Sequence, residues 1–368
     1  MSLVLENVNR SVDNTSHLKD INLSFEPGSF NVLLGRTLAG KTSLMRVIAG
    51  LDKVNSGRVL VDGQDVTSLS VQKRNISMVY QQFINYPNMN VYDNIASPLI
   101  LAGTAKAEIK RRVQETAEML RIEPFLKRYP LELSGGQQQR TAMARALVKD
   151  ASILLFDEPL VNLDYKLREE LRQELRELFK LRNSIAIYAT TEPNEALALG
   201  GTTTLLHQGH VLQTGPAIEQ YRYPINLDAA DLYSEPPINI LPGTISEQEV
   251  TFDEYASFPV AGHFKDVPVG AYRFGIRPSH MSLVPKNDDD IELSVQVEVA
   301  EISASETFLH VANKHFQLVL QLSGVHDYRT NTPVKIYLPP EKLFLFNSEG
   351  GIVKAPYPER KKGAQQHG

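Results

Sequence analysis

Three observations predict an α/β domain followed by a smaller all-β domain. A glycine-bounded turn, Gly35-Arg36-Thr37-Leu38-Ala39-Gly40-Lys41-Thr42, joins a short apolar run, Asn31 to Leu34, to a helical opening, Ser43 to Ile48. Strand-like and helix-like stretches then alternate as far as Pro216. Past the proline-rich stretch Pro216 to Pro242, short apolar runs divided by turn signals take over, which is the pattern of a barrel or sandwich.

In chain order, residues from Leu3 to about Asp62 read as apolar strands and turns around the glycine-bounded loop and its helix. From Phe83 to about Lys149 the pattern is helical, with three- and four-residue apolar spacing in Ala105 to Leu120 and Ser134 to Val148. Ser152 to Phe156 reads as a buried strand ending in Asp157-Glu158-Pro159. A helix follows from about Asp164 to Leu181, with Leu167, Leu171, Leu175, Leu178 and Leu181 on one face. That stripe is too short for sustained heptads and is read as a core face. Ser184 to Ala189 is another apolar strand. The second domain is expected to hold strands at Ala271 to Ile276, Leu293 to Val299, Thr307 to Val311, Phe316 to Leu320 and Val334 to Leu338. The expected divisions are 1–235, with a helical part over about 83–150, then 236–355 and a disordered polar tail, 356–368.

At 368 residues the chain is long enough for two or three domains. Its net charge of −5 gives no basic field for nucleic acid. The absence of cysteine excludes disulfides and thiolate-bound zinc. Met1 to Glu6 lacks the charged start and long apolar run of a secretion signal, and no stretch approaches the roughly 20 apolar residues of a membrane span. A soluble chain is expected, reaching a membrane only through partners.

The turn Gly35 to Thr42 fits G-x-x-x-x-G-K-[ST]. Between strand and helix, such a turn aims several backbone N–H groups at one point, at the positive end of the helix. The expected ligand is a nucleotide. Gly35, Arg36, Thr37, Leu38, Ala39, Gly40, Lys41, Thr42 and Ser43 would cradle the phosphates. Lys41 would reach the outer phosphates, and the Thr42 hydroxyl would serve Mg²⁺. Asp157, at the end of a buried strand, can face the same ion, and Glu158 can orient or deprotonate a water. Leu133-Ser134-Gly135-Gly136-Gln137-Gln138-Gln139-Arg140 supplies a helix N-cap and two glycines, which let N–H groups approach an anion.

This order of phosphate loop, Leu-Ser-Gly-Gly-Gln string and acidic strand resembles the ATP-binding cassette (ABC) family, and in particular the ATPase subunits of ABC importers. The resemblance implies a P-loop NTPase cassette, comprising a RecA-like core, an antiparallel β-subdomain and a helical subdomain, then a small all-β OB/TOBE-like barrel. Ser77-Met78-Val79-Tyr80-Gln81-Gln82-Phe83 looks like the family's Q-loop, so Gln81 would touch Mg²⁺ and the water. Asn162-Leu163-Asp164 resembles the D-loop that crosses the dimer interface. Ser134, Gly135, Gly136 and Gln137 would act on ATP held by the other subunit, and Tyr86, Pro87, Asn88 and Met89 would meet the membrane subunits. Pro236 to Leu241, Phe274 to Pro278 and Leu343 to Asn347 resemble the accessory barrel of carbohydrate and polyol importers. The implied partners are a second ATPase subunit, two permease subunits and, indirectly, a solute-binding protein, at the cytoplasmic face of the inner membrane. An ABC ATPase acting on ribosomes or DNA is the alternative.

Two departures from the family pattern stand out. Where the family has Thr-His-Asp, this chain has Thr190-Thr191-Glu192, and no histidine lies between His17 and His207. Thr191 therefore stands at the switch-histidine position, with Thr190 or a bridging water as substitutes for its role. At the adenine end, Val12 stands where an aromatic residue is usual, with Arg10 and His17 as candidate replacements. These departures predict slow hydrolysis at the chain's own site and pairing with a different ATPase subunit, with a homodimer as the alternative.

Overall fold

The computed structural model describes residues 2–358 except 83, 162, 164, 182–183 and 304. By internal contacts the chain divides into two compact units, 1–217 and 218–368. The sequence expectation had drawn this division at 235/236.

The first unit opens with β1 (Leu3–Val12), β2 (Thr15–Phe25) and β3 (Phe30–Leu34). Next come α1 (Lys41–Ala49), β4 (Ser56–Val61), β5 (Gln64–Asp65) and β6 (Ile76–Val79). The helical part contains α2 (Val91–Leu101), α3 (Lys106–Met119) and α4 (Gly135–Leu147). It is followed by β7 (Ile153–Asp157), α5 (Tyr165–Leu181), β8 (Ile185–Thr190), α6 (Pro193–Leu199), β9 (Thr202–His207) and β10 (His210–Pro216).

Two sheets organise this unit. One is antiparallel, in the order β2-β1-β4-β5; the other runs β10-β9-β3-β8-β7-β6. In the larger sheet β6, β7, β8, β3 and β9 are parallel, and β10 adds an antiparallel edge. Parallel strands covered on both faces need apolar side chains at consecutive positions, and Ile153–Asp157 and Ile185–Thr190 are buried along their whole length. Leu3, Leu5, Leu33, Leu44, Ile48, Leu155 and Ile187 share one core between the sheets and α1. On α5, Phe179 stacks on Phe30 at 5.0 Å and meets Phe156 edge-on at 5.1 Å. Of the leucine stripe, Leu171 and Leu175 are buried; the side chains at 167, 178 and 181 lie outside the described set.

Arg74 ties α1 to the strands below it. It is 5% exposed, and its guanidinium donates to the carbonyls of Val47, Ile48, Val66, Thr67 and Leu69 at 2.7–3.2 Å. A cation at the negative end of α1 satisfies carbonyls that the helix cannot pair internally. Burial lowers its pKa from the ordinary arginine value.

The second unit carries α7 (Ala217–Arg222) at its start and α8 (Leu227–Leu232), helices hidden in the sequence by the surrounding prolines. Its strands are β11 (Asn239–Ile245), β12 (Glu249–Phe252), β13 (Ala256–Pro259), β14 (Gly270–Ile276), β15 (Ile291–Ile302), β16 (Glu306–Ala312), β17 (Gln317–Ser323), β18 (Pro333–Leu338), β19 (Phe344–Phe346) and β20 (Ile352–Lys354). They form sheets ordered β13-β12-β11-β14-β19-β20 and β17-β16-β15-β18 around one core that includes Phe252, Phe264, Phe274, Val297, Leu309 and Leu320. Strand β15 alternates buried and exposed side chains over most of its length, as one core face and one wet face require. Buried Asn239 joins the sheets: its amide donates to the Val319 carbonyl and its oxygen accepts from the Val319 N–H, each at 2.8 Å. This all-β unit fits the small barrel-like domain expected. The expected tail from Glu359 onward lies outside the described residues.

Candidate active site

The C-terminal ends of β3, β7 and β8 meet at one edge of the parallel sheet, where ligands of open α/β folds bind. The loop after β3 is pinned at both ends. The Gly35 N–H donates to the Thr190 carbonyl (3.3 Å), and the Gly209 N–H donates to the Ala39 carbonyl (3.0 Å). A Cβ at Gly35 would lie 2.5 Å from the Leu206 oxygen, and Gly40 has φ 106°, so both positions suit glycine alone.

Behind this loop is a cleft of about 360 Å³, lined by Thr15, Ser16, His17, Thr37 to Ser43, Gln81 and Glu158. Lys41, 4% exposed, donates to the carbonyls of Gly35 (2.7 Å) and Arg36 (3.1 Å) and pairs with Glu158 Oε1 at 3.2 Å. The Thr42 hydroxyl donates to Asp157 Oδ1 at 3.0 Å. Gln81 Nε2 donates to Glu158 Oε2 at 3.2 Å. Burial raises the Asp157 pKa above the ordinary carboxylate value, opposed by the Thr42 hydrogen bond. Side chains from three distant stretches of the chain thus meet in two adjoining sets, Lys41–Glu158–Gln81 and Thr42–Asp157.

The donor set suits a hard divalent cation. The Thr42 hydroxyl and the Asp157 carboxylate are adjacent, with a carboxamide, Gln81, nearby, and oxygen ligands of this kind are what Mg²⁺ selects. No group of three or more His, Cys, Asp or Glu that could hold a metal occurs among the described residues. The fit is therefore to an ion whose shell phosphate and water complete.

The switch position is built differently. Thr191, half-buried, follows β8 but does not line the cleft, and among the described residues its hydroxyl has no hydrogen-bond partner. The expectation that Thr190 could substitute is corrected. Its hydroxyl is 2% exposed, donates to Glu195 Oε2 (2.6 Å) and accepts the Glu192 N–H (3.0 Å). Glu195, also buried, accepts the Tyr188 hydroxyl at 3.1 Å, and burial raises its pKa. Glu192 is paired with Arg168 at 2.6 Å.

At the expected adenine end, His17 lies in the cleft with its Nδ1 3.1 Å from the Ser43 hydroxyl. Val12 pairs with Thr15 at the tip of the β1–β2 hairpin and is not part of the lining. Ser134 caps α4: its hydroxyl accepts the Gln137 N–H at 3.4 Å, and the Gln137 side chain accepts the Ser134 N–H at 3.0 Å, the reciprocal arrangement of a capping box. Ser134 and Gly135 are exposed, Gly136 is buried, and none of them lines the cleft of their own chain. Asp164 and Asn162 lie outside the described residues.

Tyr86 to Met89 form an exposed turn held by buried Asn94, whose side chain accepts the Tyr86 N–H and donates to the Tyr86, Met89 and Asn90 carbonyls. The Arg145 guanidinium lies 4.7 Å over the Tyr86 ring. Sequence reasoning missed Asn94, which acts through backbone groups four to eight residues away, and Arg74 and Gly209, which act through backbone groups more remote in the chain.

A chain that closes a glycine loop over Lys41, with Asp157 and Glu158 two strands away at the end of β7, has the site of a nucleotide-hydrolysing P-loop protein. Residues 18–161 match the ABC transporter family. The chain is 35% identical to the sn-glycerol-3-phosphate import ATP-binding protein UgpC of Pectobacterium atrosepticum, over 95% of this chain and 98% of that protein. It is 36% identical to UgpC 3 of Rhizobium etli, over 94% and 97%. The cassette also resembles the dimeric post-hydrolysis structure of the ATP-binding cassette MJ0796 bound to ADP and Pi, with TM-score 0.54 and 30% identity, over 58% of this chain and 98% of that one. The chain belongs to the ABC transporter ATP-binding family. It is an ATP-hydrolysing subunit that energises solute import, and the reading as a ribosome- or DNA-directed ATPase is not favoured.

Proposed function

We propose that ATP occupies the cleft with its phosphates against Gly35 to Ser43 and its base toward Thr15 to His17. The observation that carries this reading is the convergence of Lys41, Thr42, Gln81, Asp157 and Glu158 at one sheet edge. Thr42, Asp157 and Gln81 would hold Mg²⁺, which when bound would supply charge neutralisation at the outer phosphates. Lys41 exchanges its Glu158 pairing for phosphate oxygen. The exchange frees the Glu158 carboxylate to accept a proton from a water that Gln81 helps to place. Ser134 to Gln137 complete the site of a second cassette, with the α4 N-terminus facing its phosphate, and Asp164 belongs to the same interface. Tyr86 to Met89 and the Arg145 ring contact form the face offered to two permease subunits.

The named relatives import sn-glycerol-3-phosphate, and we assign this chain to uptake of that solute or a related polyol, delivered by a solute-binding protein. The chain works peripherally at the cytoplasmic side of the inner membrane; none of its helices among the described residues is long and apolar enough to cross one. In the test, the Glu158→Gln chain should bind Mg-ATP, stop turning over and sediment as a dimer. ATP binding that is unaltered by Lys41→Ala would overturn the placement. Expressed with its permeases, the wild-type chain should support uptake of labelled sn-glycerol-3-phosphate, and uptake of neither that ester nor glycerol would overturn the solute assignment.

A second reading, the expected pairing with a non-identical ATPase, rests on the departures at Thr191 and Val12 and is not supported by the comparisons, in which a solved relative is a dimer of one cassette. Co-purification of a different cassette in equal amount with this chain would favour it.

A further inference from the structure

The β1–β2 ladder is irregular at His17. Arg10 pairs with Leu18 and Ser11 with Ser16, so two steps on β2 oppose one on β1 and His17 is left over. An extra residue of this kind bends its strand and re-aims a side chain. The backbone at this point is also pressed onto the phosphate loop. A Cβ at Gly40 would lie 2.7 Å from the His17 carbonyl oxygen, and a Cβ at Gly209 would lie 2.8 Å from it. Two residues on, the Lys19 N–H donates to the Gly209 carbonyl at 2.8 Å. The imidazole thus springs from a fixed point. It is half-buried in the cleft, with Nδ1 3.1 Å from the Ser43 hydroxyl on the first turn of α1.

That contact has two forms with opposite consequences, because Ser43 has one hydroxyl proton to give. With Nδ1 bare, Ser43 gives that proton to the ring. With Nδ1 protonated, the ring donates to Ser43 Oγ, and the hydroxyl proton is free to point into the cleft. An anion in the cleft selects the second form, since only it turns a donor toward negative charge, and a hydroxyl that accepts one hydrogen bond donates the next more strongly. We propose that His17 is a positioning residue for the nucleotide, acting through Ser43: its Nδ1–H holds the hydroxyl with its proton directed at the phosphate nearest the nucleoside. The proposal rests on the nucleotide placement above, in which the base lies beside Thr15 to His17 and the outer phosphates lie on Lys41 and Thr42. Ser43 then faces the inner phosphate. His17 serves that phosphate through a hydrogen bond and not the base by stacking.

The experiment titrates Mg-ATP into the full chain by calorimetry and reads KM and kcat in parallel. His17→Ala should weaken binding by about tenfold, with the loss appearing in KM and kcat changing by less than about threefold. His17→Asn, whose side-chain amide places an N–H where Nδ1 stood, should recover binding to within about threefold of the wild type. His17→Phe, a ring without the donor, should be as weak as His17→Ala. In a Ser43→Ala background, His17→Ala should cost less than about a further twofold, because the two side chains act as one unit. Binding unaltered in His17→Ala, recovery by His17→Phe in place of His17→Asn, or an undiminished loss in the Ser43→Ala background overturns the proposal. The nucleotide placement survives any of these so long as Lys41→Ala still weakens binding. Binding unaltered by Lys41→Ala removes both.

Discussion

At the ends of β3 and β7 each side chain of the cleft is held by another, whereas at the end of β8 the switch position carries a hydroxyl that holds nothing. Lys41, Glu158 and Gln81 form one set of contacts and Thr42 and Asp157 a second, each contact between 3.0 and 3.2 Å. One strand away, the polar groups around Thr191 turn inward: Thr190, Tyr188 and Glu195 bond to one another beneath the loop. In the proposed function the first region would hold ATP phosphates and position water, whereas the polar groups of the second are bonded to one another beneath the loop. Lacking a histidine, the site keeps substrate binding and the general base but loses one contact to the developing charge. A contact of that kind is worth about 2.7–4 kcal/mol.

Substitutions at the two ends should therefore behave differently. The largest effect is expected from Lys41→Ala, which removes the phosphate contact and leaves the Glu158 carboxylate unpaired. Steady-state ATPase assays should show turnover falling by about a hundred- to a thousandfold, and retention of near wild-type turnover would break the comparison. Next comes Thr190→Val, which leaves buried Glu195 short of a donor. Chemical denaturation should register about 1–3 kcal/mol of lost stability, and a neutral result would mean that the network beneath the loop is not structural.

The smallest effect is a pH dependence. Burial raises the pKa of Glu195 and Asp157 in the fold, so folding favours their protonated forms. The resulting stabilisation is fully present below the ordinary carboxylate pKa and is lost as pH rises through the raised values. Asp52, Asp65, Glu108 and Glu292 are held below the ordinary value by their hydrogen-bond partners and act in the opposite direction, so the test is a difference: relative to Glu195→Gln, the chain without nucleotide should lose melting temperature as pH climbs through and just above the ordinary carboxylate range. An unchanged slope in the variant would assign the dependence elsewhere.

The built end of the cleft was legible in the sequence because its parts are short contiguous strings: Gly35 to Thr42, and Asp157-Glu158 after an apolar run. The absence of histidine at position 191 was equally plain. Less could be read where the chemistry runs through backbone. Nothing near Arg74 announces that its guanidinium will collect carbonyls from α1 and from residues 66–69, and nothing near Gly209 marks it as a support for Ala39. Thr190 looked available because its neighbours in sequence are small, while its partner Glu195 comes from the following helix. In the second unit, Pro242-Gly243 inside β11 reads as linker, yet Asn239 fixes that strand to Val319 across the core.

The most direct measurement compares ATP turnover by the purified wild-type chain with that of Thr191→His at saturating Mg-ATP. The account predicts slow but measurable turnover in the wild type and an increase of about tenfold or more in the variant, approaching the value of a recovered transition-state contact. Fast turnover by the wild type, or no gain from the histidine, would contradict it.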